Sequence, residues 1–179
     1  MLKIDQAVLV IVDVQGKLAT LMHNRDEFYR NMIRIIRGAQ TLKLPILWNE
    51  QLPDKLGPTI DEIREILTDM KPMIKETFSC CGNPEFMAGL KATGRRQVLV
   101  TGMEAHVCVY QTAQDLLAAG YEVYLVADAV SSRSESNHRL GTDSIHALGG
   151  HVTGVEMAFL EMLQVARGEA FKEIIRIIK

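Results

Sequence analysis

Residues Ala7-Val8-Leu9-Val10-Ile11-Val12 form an unbroken apolar run, largely β-branched, that stops at Asp13. No polar residue alternates within it. A strand made from this run has two apolar faces, and both must be covered. Such a strand belongs at the centre of a parallel sheet with helices packed on each side, and the rest of the chain supplies those helices.

Phe28, Met32, Ile35, Ile36, Ala39 and Leu42 fall on one face of a helix, with Asn24 placed as its N-cap and Glu27 three residues later. Pro45 to Trp48 reads as a second strand, Lys55 to Thr59 as a Gly/Pro loop, and the stretch near Ile60 to Leu67 as a helix. Pro72 to Lys75 is a short third strand, followed by the irregular stretch Glu76 to Gly82. At Asn83-Pro84-Glu85 the sequence has the cap residue and first-turn proline of a helix start. Gln97 to Gly102 is a fourth strand, Ala105 to Ala119 a helix closed by Gly120, and Tyr121 to Val126 a fifth strand. Helix Ser136 to Leu148, strand His151 to Thr153, helix Val155 to Val165 and a tail helix from Phe171 to Lys179 complete the chain. The alternation predicts right-handed crossovers and an α/β fold: a three-layer, doubly wound, six-stranded and mainly parallel sheet with helices on both faces.

With 179 residues and 47% hydrophobic content, the chain holds enough apolar material for one sizeable core, and 1–179 reads as a single domain. Its 20 basic and 22 acidic residues are interleaved, for a formal charge of -2. Without a basic stripe, neither nucleic acid nor a membrane surface is an expected partner. The apolar runs are strand-sized, short of the roughly 20 residues that span a bilayer. Met1-Leu2-Lys3-Ile4-Asp5 lacks the layout of a signal peptide. Three cysteines with no framework spacing fit a reducing compartment, and a cytoplasmic location is expected.

Ligands of open parallel sheets sit outside the carboxyl ends of the strands. Asp13 closes the first strand, Lys75 closes the third, and Cys108 opens the helix after the fourth. Taken singly, each has a plain structural role: a strand-end Asp caps a loop, a Lys is solvated, and a Cys is a small buried hydrophobe. Jointly they fit a covalent nucleophile. The unpaired N–H groups and positive dipole end of a helix N-terminus favour thiolate. A neighbouring carboxylate can shuttle the thiol proton, and an ammonium beside both holds the carboxylate ionised. The turn from Gly102 to Val107 offers backbone N–H groups to a developing oxyanion.

Three motifs now carry a resemblance. Asp13-Val14-Gln15 after an apolar strand, Lys75-Glu76-Thr77 followed by Phe78-Ser79, and Thr101-Gly102-Met103-Glu104-Ala105-His106-Val107-Cys108-Val109 resemble the isochorismatase-like cysteine hydrolase family, in order over nearly the whole chain. Glu50-Gln51, Leu56-Gly57-Pro58-Thr59, Gln111-Thr112-Ala113, Ala127-Asp128-Ala129 and Ser131-Ser132-Arg133-Ser134 are similar to its isochorismatase domain-containing branch.

The resemblance implies the isochorismatase-like hydrolase fold, a catalytic Asp13, Lys75 and Cys108, and a cis peptide in the Gly102-Met103-Glu104 turn, at Met103-Glu104. It further implies oxyanion donors in the N–H groups of Glu104 and Cys108. Gln15, Trp48, Gln51, Phe78, His106, Ser132 and Arg133 are the residues expected to line a small-molecule substrate. Nicotinamidase members of that family place an Asp and histidines after strand two to bind a metal. Here the stretch is Trp48-Asn49-Glu50-Gln51-Leu52-Pro53, without histidine, so neither a metal nor any cofactor is expected. Isochorismatase proper cleaves a vinyl ether and need not use a cysteine, so the family name does not specify the substrate.

Other residues invite different chemistry. Cys80 and Cys81 form no C-x-x-C, the deaminase pattern H-x-E with P-C-x-x-C is absent, and a structural role is expected for both, with a place in the pocket lining open to one of them. His106 faces the cleft or caps the helix start. Ser132 and Arg133, after strand five, either contact an anionic substrate group or form the loop. No glycine pattern suits a dinucleotide or a nucleoside triphosphate. Met157, Phe159, Leu160, Met162 and Leu163 put apolar residues on more than one side of a helix, and family resemblance also suggests a homo-oligomer, a dimer or higher. Three functions compete: a cofactor-free hydrolase of a small amide or related C–N bond, a non-catalytic binding or scaffold protein, and a thiol redox enzyme pairing Cys108 with Cys80 or Cys81.

Overall fold

The computed structural model describes residues 1–179. Its elements are β1 (Ala7–Val12), α1 (Gly16–Ala19), α2 (Arg25–Thr41), β2 (Ile46–Gln51), α3 (Pro53–Leu56), α4 (Asp61–Arg64), β3 (Met73–Lys75) and a 3-10 turn (Cys80–Gly82). They continue with α5 (Pro84–Ala92), β4 (Gln97–Met103), a π turn (Ala105–Val109), α6 (Tyr110–Ala118), β5 (Glu122–Ser131), α7 (Glu135–Ala147), β6 (His151–Thr153), α8 (Val155–Leu163) and α9 (Glu169–Ile178). The six strands lie in the order β3-β2-β1-β4-β5-β6, and every neighbouring pair is parallel. The doubly wound α/β expectation is met. The chain walks from β1 to one edge, returns to β4 and walks to the other edge, so the order reverses between β1 and β4. That reversal opens a crevice at their carboxyl ends.

The apolar run of β1 is explained by what lies on each side. Ala7, Leu9 and Ile11 join the core shared with Met32, Ile35 and Ile36 of α2 and Phe159 of α8. Val8, Val10 and Val12 join a second core with Phe86 and Leu90 of α5 and Ala113 and Leu116 of α6. Each fully buried Val, Leu or Ile side chain contributes roughly 1.5–3 kcal/mol. The central strand is therefore the firmest reference in the molecule, and the residues at its end inherit that rigidity.

One glycine is required for the crevice. Gly102 pairs with Val12 across β1 and β4, has φ of +122°, and an added Cβ would sit 2.1 Å from the Val12 carbonyl oxygen. Only the absence of a side chain lets β4 run this close to the end of β1.

Several local expectations are corrected. Asn24 precedes α2 but its side chain caps no backbone N–H; the residue is left-handed at φ 50°, and its amide bonds the Glu27 carboxylate instead. The helix expected from Ile60 to Leu67 is limited to Asp61–Arg64. The helix expected from Ala105 to Ala119 opens as a π turn, because the Glu104 carbonyl accepts from both Val107 and Val109 N–H. β5 continues to Ser131, past a register shift against β4 between Val100 and Gly102. The Asn83 side chain does cap α5, accepting from Glu85 N–H, with Pro84 at the first position. No helix is long and apolar enough to cross a membrane.

Candidate active site

The strand ends on either side of the crevice carry two left-handed residues that are not glycine, Asp13 at φ 53° and Glu104 at φ 59°. Such conformations cost of order 1–3 kcal/mol each and persist where surrounding structure imposes them. At Asp13 the surroundings are visible. Its N–H donates to the Asn49 carbonyl. Two residues on, the Gln15 side chain clamps the end of β1 to β2, accepting from Gln51 N–H at 2.7 Å and donating to the Gly57 and Gln51 carbonyls at 2.7 and 3.2 Å.

Asp13, Lys75 and Cys108 come together. Lys75 Nζ lies 2.7 Å from Asp13 Oδ2, with both side chains sealed from solvent. The ammonium also donates to the Thr77 and Phe78 carbonyls at 2.9 and 3.0 Å and to Gln51 Oε1 at 3.3 Å. The Cys108 thiol donates to that same Gln51 Oε1 at 3.3 Å and interacts with the Asp13 carboxylate. Apart from the Lys75 contact, neither Asp13 oxygen has an aligned hydrogen bond, so the carboxylate keeps capacity to accept.

Burial dominates the electrostatics. The Cys108 thiol is pushed up to about 12, first by desolvation and then by the negative charge of Asp13. This corrects the expectation of a resting thiolate: the positive helix end and Lys75 do not outweigh the loss of water, and the sulfur is a thiol at neutral pH. Asp13 is also raised, because burial outweighs the opposing pull of the Lys75 ammonium. A raised carboxylate is a better home for the thiol proton than one exposed to water. Cys80 is fully buried and its thiol is pushed well above the usual range; Cys81 is pushed up to about 11.

The turn after β4 departs from expectation at one bond. No peptide is cis, so Met103-Glu104 is trans, as non-proline bonds strongly prefer. The reversal is made by the left-handed Glu104 instead. Outside helices and strands the Glu104 N–H takes part in no backbone hydrogen bond, whereas its carbonyl accepts two. The Glu104 carboxylate is 8% exposed, receives Arg133 Nε at 2.7 Å and lies 3.2 Å from His106 Nδ1. His106 Nδ1 is also 3.1 Å from Ser132 Oγ.

The remaining candidates separate into groups. Gln51 belongs to the cluster as its shared acceptor, a role more central than lining a substrate. Thr77, which the sequence did not single out, holds Lys75 through its carbonyl, and so does Phe78, whose ring is exposed. Trp48 is misplaced by the expectation. It lies in the α2-side core with its Nε1 donating to Thr59 Oγ1, whereas Cys108 belongs to the opposite core. Gln15 is fully buried with its amide committed to backbone, so it braces the site rather than facing a ligand. Ser132 is buried beside His106. A cavity of about 220 Å³ lies elsewhere, between the start of α2, β5 and α7, where His23, Asp128 and His138 line it. No group of three or more His, Cys, Asp or Glu side chains is arranged to hold a metal.

Comparison with known proteins finds relatives over nearly the whole chain. The family model for the isochorismatase domain matches residues 7–157. Isochorismatase domain-containing protein 2 of Danio rerio is 33% identical over 173 residues, which cover 96% of this chain and 86% of that protein. MAR1 ribonuclease from Caenorhabditis elegans is 32% identical, superimposes with a TM-score of 0.92 and covers 99% of this chain and 91% of its own. The YcaC gene product from Escherichia coli, an octameric hydrolase of unknown specificity, shares the fold at 21% identity, with a TM-score of 0.92 over 98% of this chain and 89% of its own.

Proposed function

The chain belongs to the isochorismatase family, and from that premise we propose that it is a cysteine hydrolase cutting a small amide or related C–N bond through a thioester on Cys108. The observation that carries this reading is the buried contact of 2.7 Å between Lys75 Nζ and Asp13 Oδ2, tied to the Cys108 thiol through Gln51. A structural cysteine has no need of an acid and a base placed around it.

In the proposed cycle Asp13 takes the thiol proton as sulfur bonds the carbonyl carbon, and the C=O π pair moves to oxygen. The oxyanion faces the N–H groups of Glu104 and Cys108. Collapse breaks the C–N bond, and the leaving amine takes the proton from Asp13. Water then gives a proton to Asp13 and attacks the thioester; the acid departs and the sulfur regains its proton. Lys75 keeps Asp13 ionised between steps. We also read the protein as a homo-oligomer, by analogy with the octameric YcaC product and the apolar sides of α8.

The nematode relative is called a ribonuclease. In this chain a formal charge of -2 with interleaved signs supports a small substrate over a polyanion. A panel of small amides, ureides, vinyl ethers and a short RNA, assayed with wild type and Cys108→Ala, tests the proposal. Turnover of an amide or ureide that disappears in Cys108→Ala is expected. RNA cleavage as the main activity, or turnover that survives loss of the thiol, would sink it. Binding of a small compound without turnover would favour the scaffold reading.

A further inference from the structure

Resting on the hydrolase reading, the geometry points to Arg133 and His106 as positioning residues that aim the Glu104 N–H at the oxyanion through the Glu104 side chain. Four observations converge on Glu104. It is left-handed without being glycine, its N–H makes no backbone hydrogen bond outside the regular elements, its carboxylate is almost sealed from solvent, and that carboxylate is bonded by Arg133 at Oε1 while Oε2 lies beside the His106 ring without an aligned hydrogen bond.

A buried carboxylate needs compensating charge or hydrogen bonds. Here Arg133 Nε bonds Oε1 at 2.7 Å, whereas Oε2 has no aligned hydrogen bond and has the His106 ring beside it at 3.2 Å, that ring being bonded to Ser132 Oγ at 3.1 Å. Sheet register supplies the placement. Met103 pairs with Ser131 across β4 and β5, so the residues that follow each partner, Glu104 with His106 and Ser132 with Arg133, emerge side by side. The Ser132 carbonyl and Ser131 hydroxyl fix that corner by bonding the backbone of His23. With the Glu104 side chain pinned, rotation of the Met103-Glu104 peptide is restricted, and the direction of its N–H follows.

Arg133 is the variable arm of this clamp. Its side chain is 56% exposed, so truncation leaves no void in the core. Neither residue is assigned a contact with the reacting atoms; both act through Glu104.

Two electrophiles separate positioning from general damage. Iodoacetamide is attacked at carbon: the S–C bond forms, iodide leaves, the thiol proton passes to Asp13, and no oxyanion develops. A small aldehyde forms a thiohemiacetal: the S–C bond forms, the thiol proton passes to Asp13, and the C=O π pair moves to an oxygen facing Glu104 N–H. In full-length Arg133→Met, aldehyde affinity for Cys108 is expected to fall about 10-fold, a fraction of the 10²–10³ that loss of a whole oxyanion donor costs. The iodoacetamide labelling rate stays within about 2-fold by the same logic, since that reaction uses no such donor. Arg133→Lys, which keeps a donor for Oε1, restores most of the aldehyde affinity, and His106→Gln shows a smaller loss of the same kind. With an identified amide substrate, kcat falls while KM holds.

Equal loss toward both electrophiles, or no loss toward the aldehyde in Arg133→Met and His106→Gln, overturns the positioning role while leaving the hydrolase reading intact. A wild type whose Cys108 is alkylated but never forms the thiohemiacetal overturns the hydrolase reading, and the positioning role with it.

Discussion

Asp13 and Lys75 meet at 2.7 Å across the end of β2, the strand that lies between theirs, with both side chains withdrawn from solvent. Breaking such a pair from one side leaves a charge stranded in low dielectric, which costs about 3–5 kcal/mol. Lys75→Met should therefore lose stability on that scale and lose activity, whereas Lys75→Met with Asp13→Asn should lose less than the single change. The effect has a pH signature. Without the ammonium, which lowers the Asp13 pKa, that pKa rises further above its unfolded value of about 3.8. A raised carboxyl contributes stability that is present below the unfolded pKa and is lost as pH rises through the folded one. Urea unfolding at pH 5 and pH 8 checks this: the deficit of Lys75→Met must be larger at pH 8.

The thiol of Cys108 is neutral at rest, so on the proposed mechanism its reactivity near pH 7 depends on proton transfer to Asp13. Asp13→Asn removes the acceptor while keeping the shape. Labelling of Cys108 by iodoacetamide, followed by mass spectrometry, should slow by about 10²-fold or more, the low end of what a general base supplies. Cys80 should stay unlabelled in both proteins because it is fully buried. Undiminished labelling in Asp13→Asn would remove the carboxylate from the mechanism.

Much of this is legible in the sequence. The absence of polar alternation in β1 and the strand-helix rhythm led to the doubly wound sheet, and its strand-end rule led to Asp13, Lys75 and Cys108. What escaped depends on three dimensions. Trp48 and Gln51 share a short stretch, but β2 sends Trp48 into the α2-side core and Gln51 to the thiol, a distinction that needs the end of the strand and the register with β1. Thr77 acts through its carbonyl, for which its side chain gives no sign. The ionisation state of Cys108 is not legible in the sequence, because helix-end placement is visible there whereas desolvation is a property of the packed site. The sequence points to Glu104 for its N–H; that its carboxylate is buried beside Arg133 and His106 follows only from the β4–β5 register.

Burial of the thiols also predicts alkaline sensitivity, to which Cys81, pushed up to about 11, adds a smaller part than Cys80 and Cys108. Cys108 is raised from the ordinary 9.0 to about 12, and Cys80 is raised further. Between the unfolded and folded values the native state binds the extra proton, so stability is full below about pH 9 and falls as pH rises through the folded value. Each such thiol contributes a slope of up to about 1.4 kcal/mol per pH unit. Urea midpoints measured from pH 8 to 11 should decline, and the decline should flatten in Cys80→Ala with Cys108→Ala. An unchanged slope in the double variant would assign the decline to other groups.

Gly102 ties fold to site most directly, because it lets β4 lie against the end of β1 where Asp13 begins. An Ala there would need φ near +122° and a Cβ 2.1 Å from the Val12 carbonyl oxygen, which is backbone and cannot swing aside. The strained conformation alone costs of order 1–3 kcal/mol, and relief of the clash adds to it by pushing the two strand ends apart. Gly102→Ala is therefore expected to unfold at lower urea by at least about 2 kcal/mol. Because Asp13 follows Val12 and Glu104 follows Met103, the same separation widens the gap between base and thiol, so labelling of Cys108 must slow as well. Gly141→Ala is the comparison: its Cβ would meet the Ala105 backbone at 2.4 Å, which strains the packing of α7 on the π turn without touching β1. Destabilisation in both variants is expected, but with Asp13-dependent labelling hit harder at Gly102. The reverse order would mean that the turn, and not the β1–β4 contact, sets the distance from Asp13 to the sulfur.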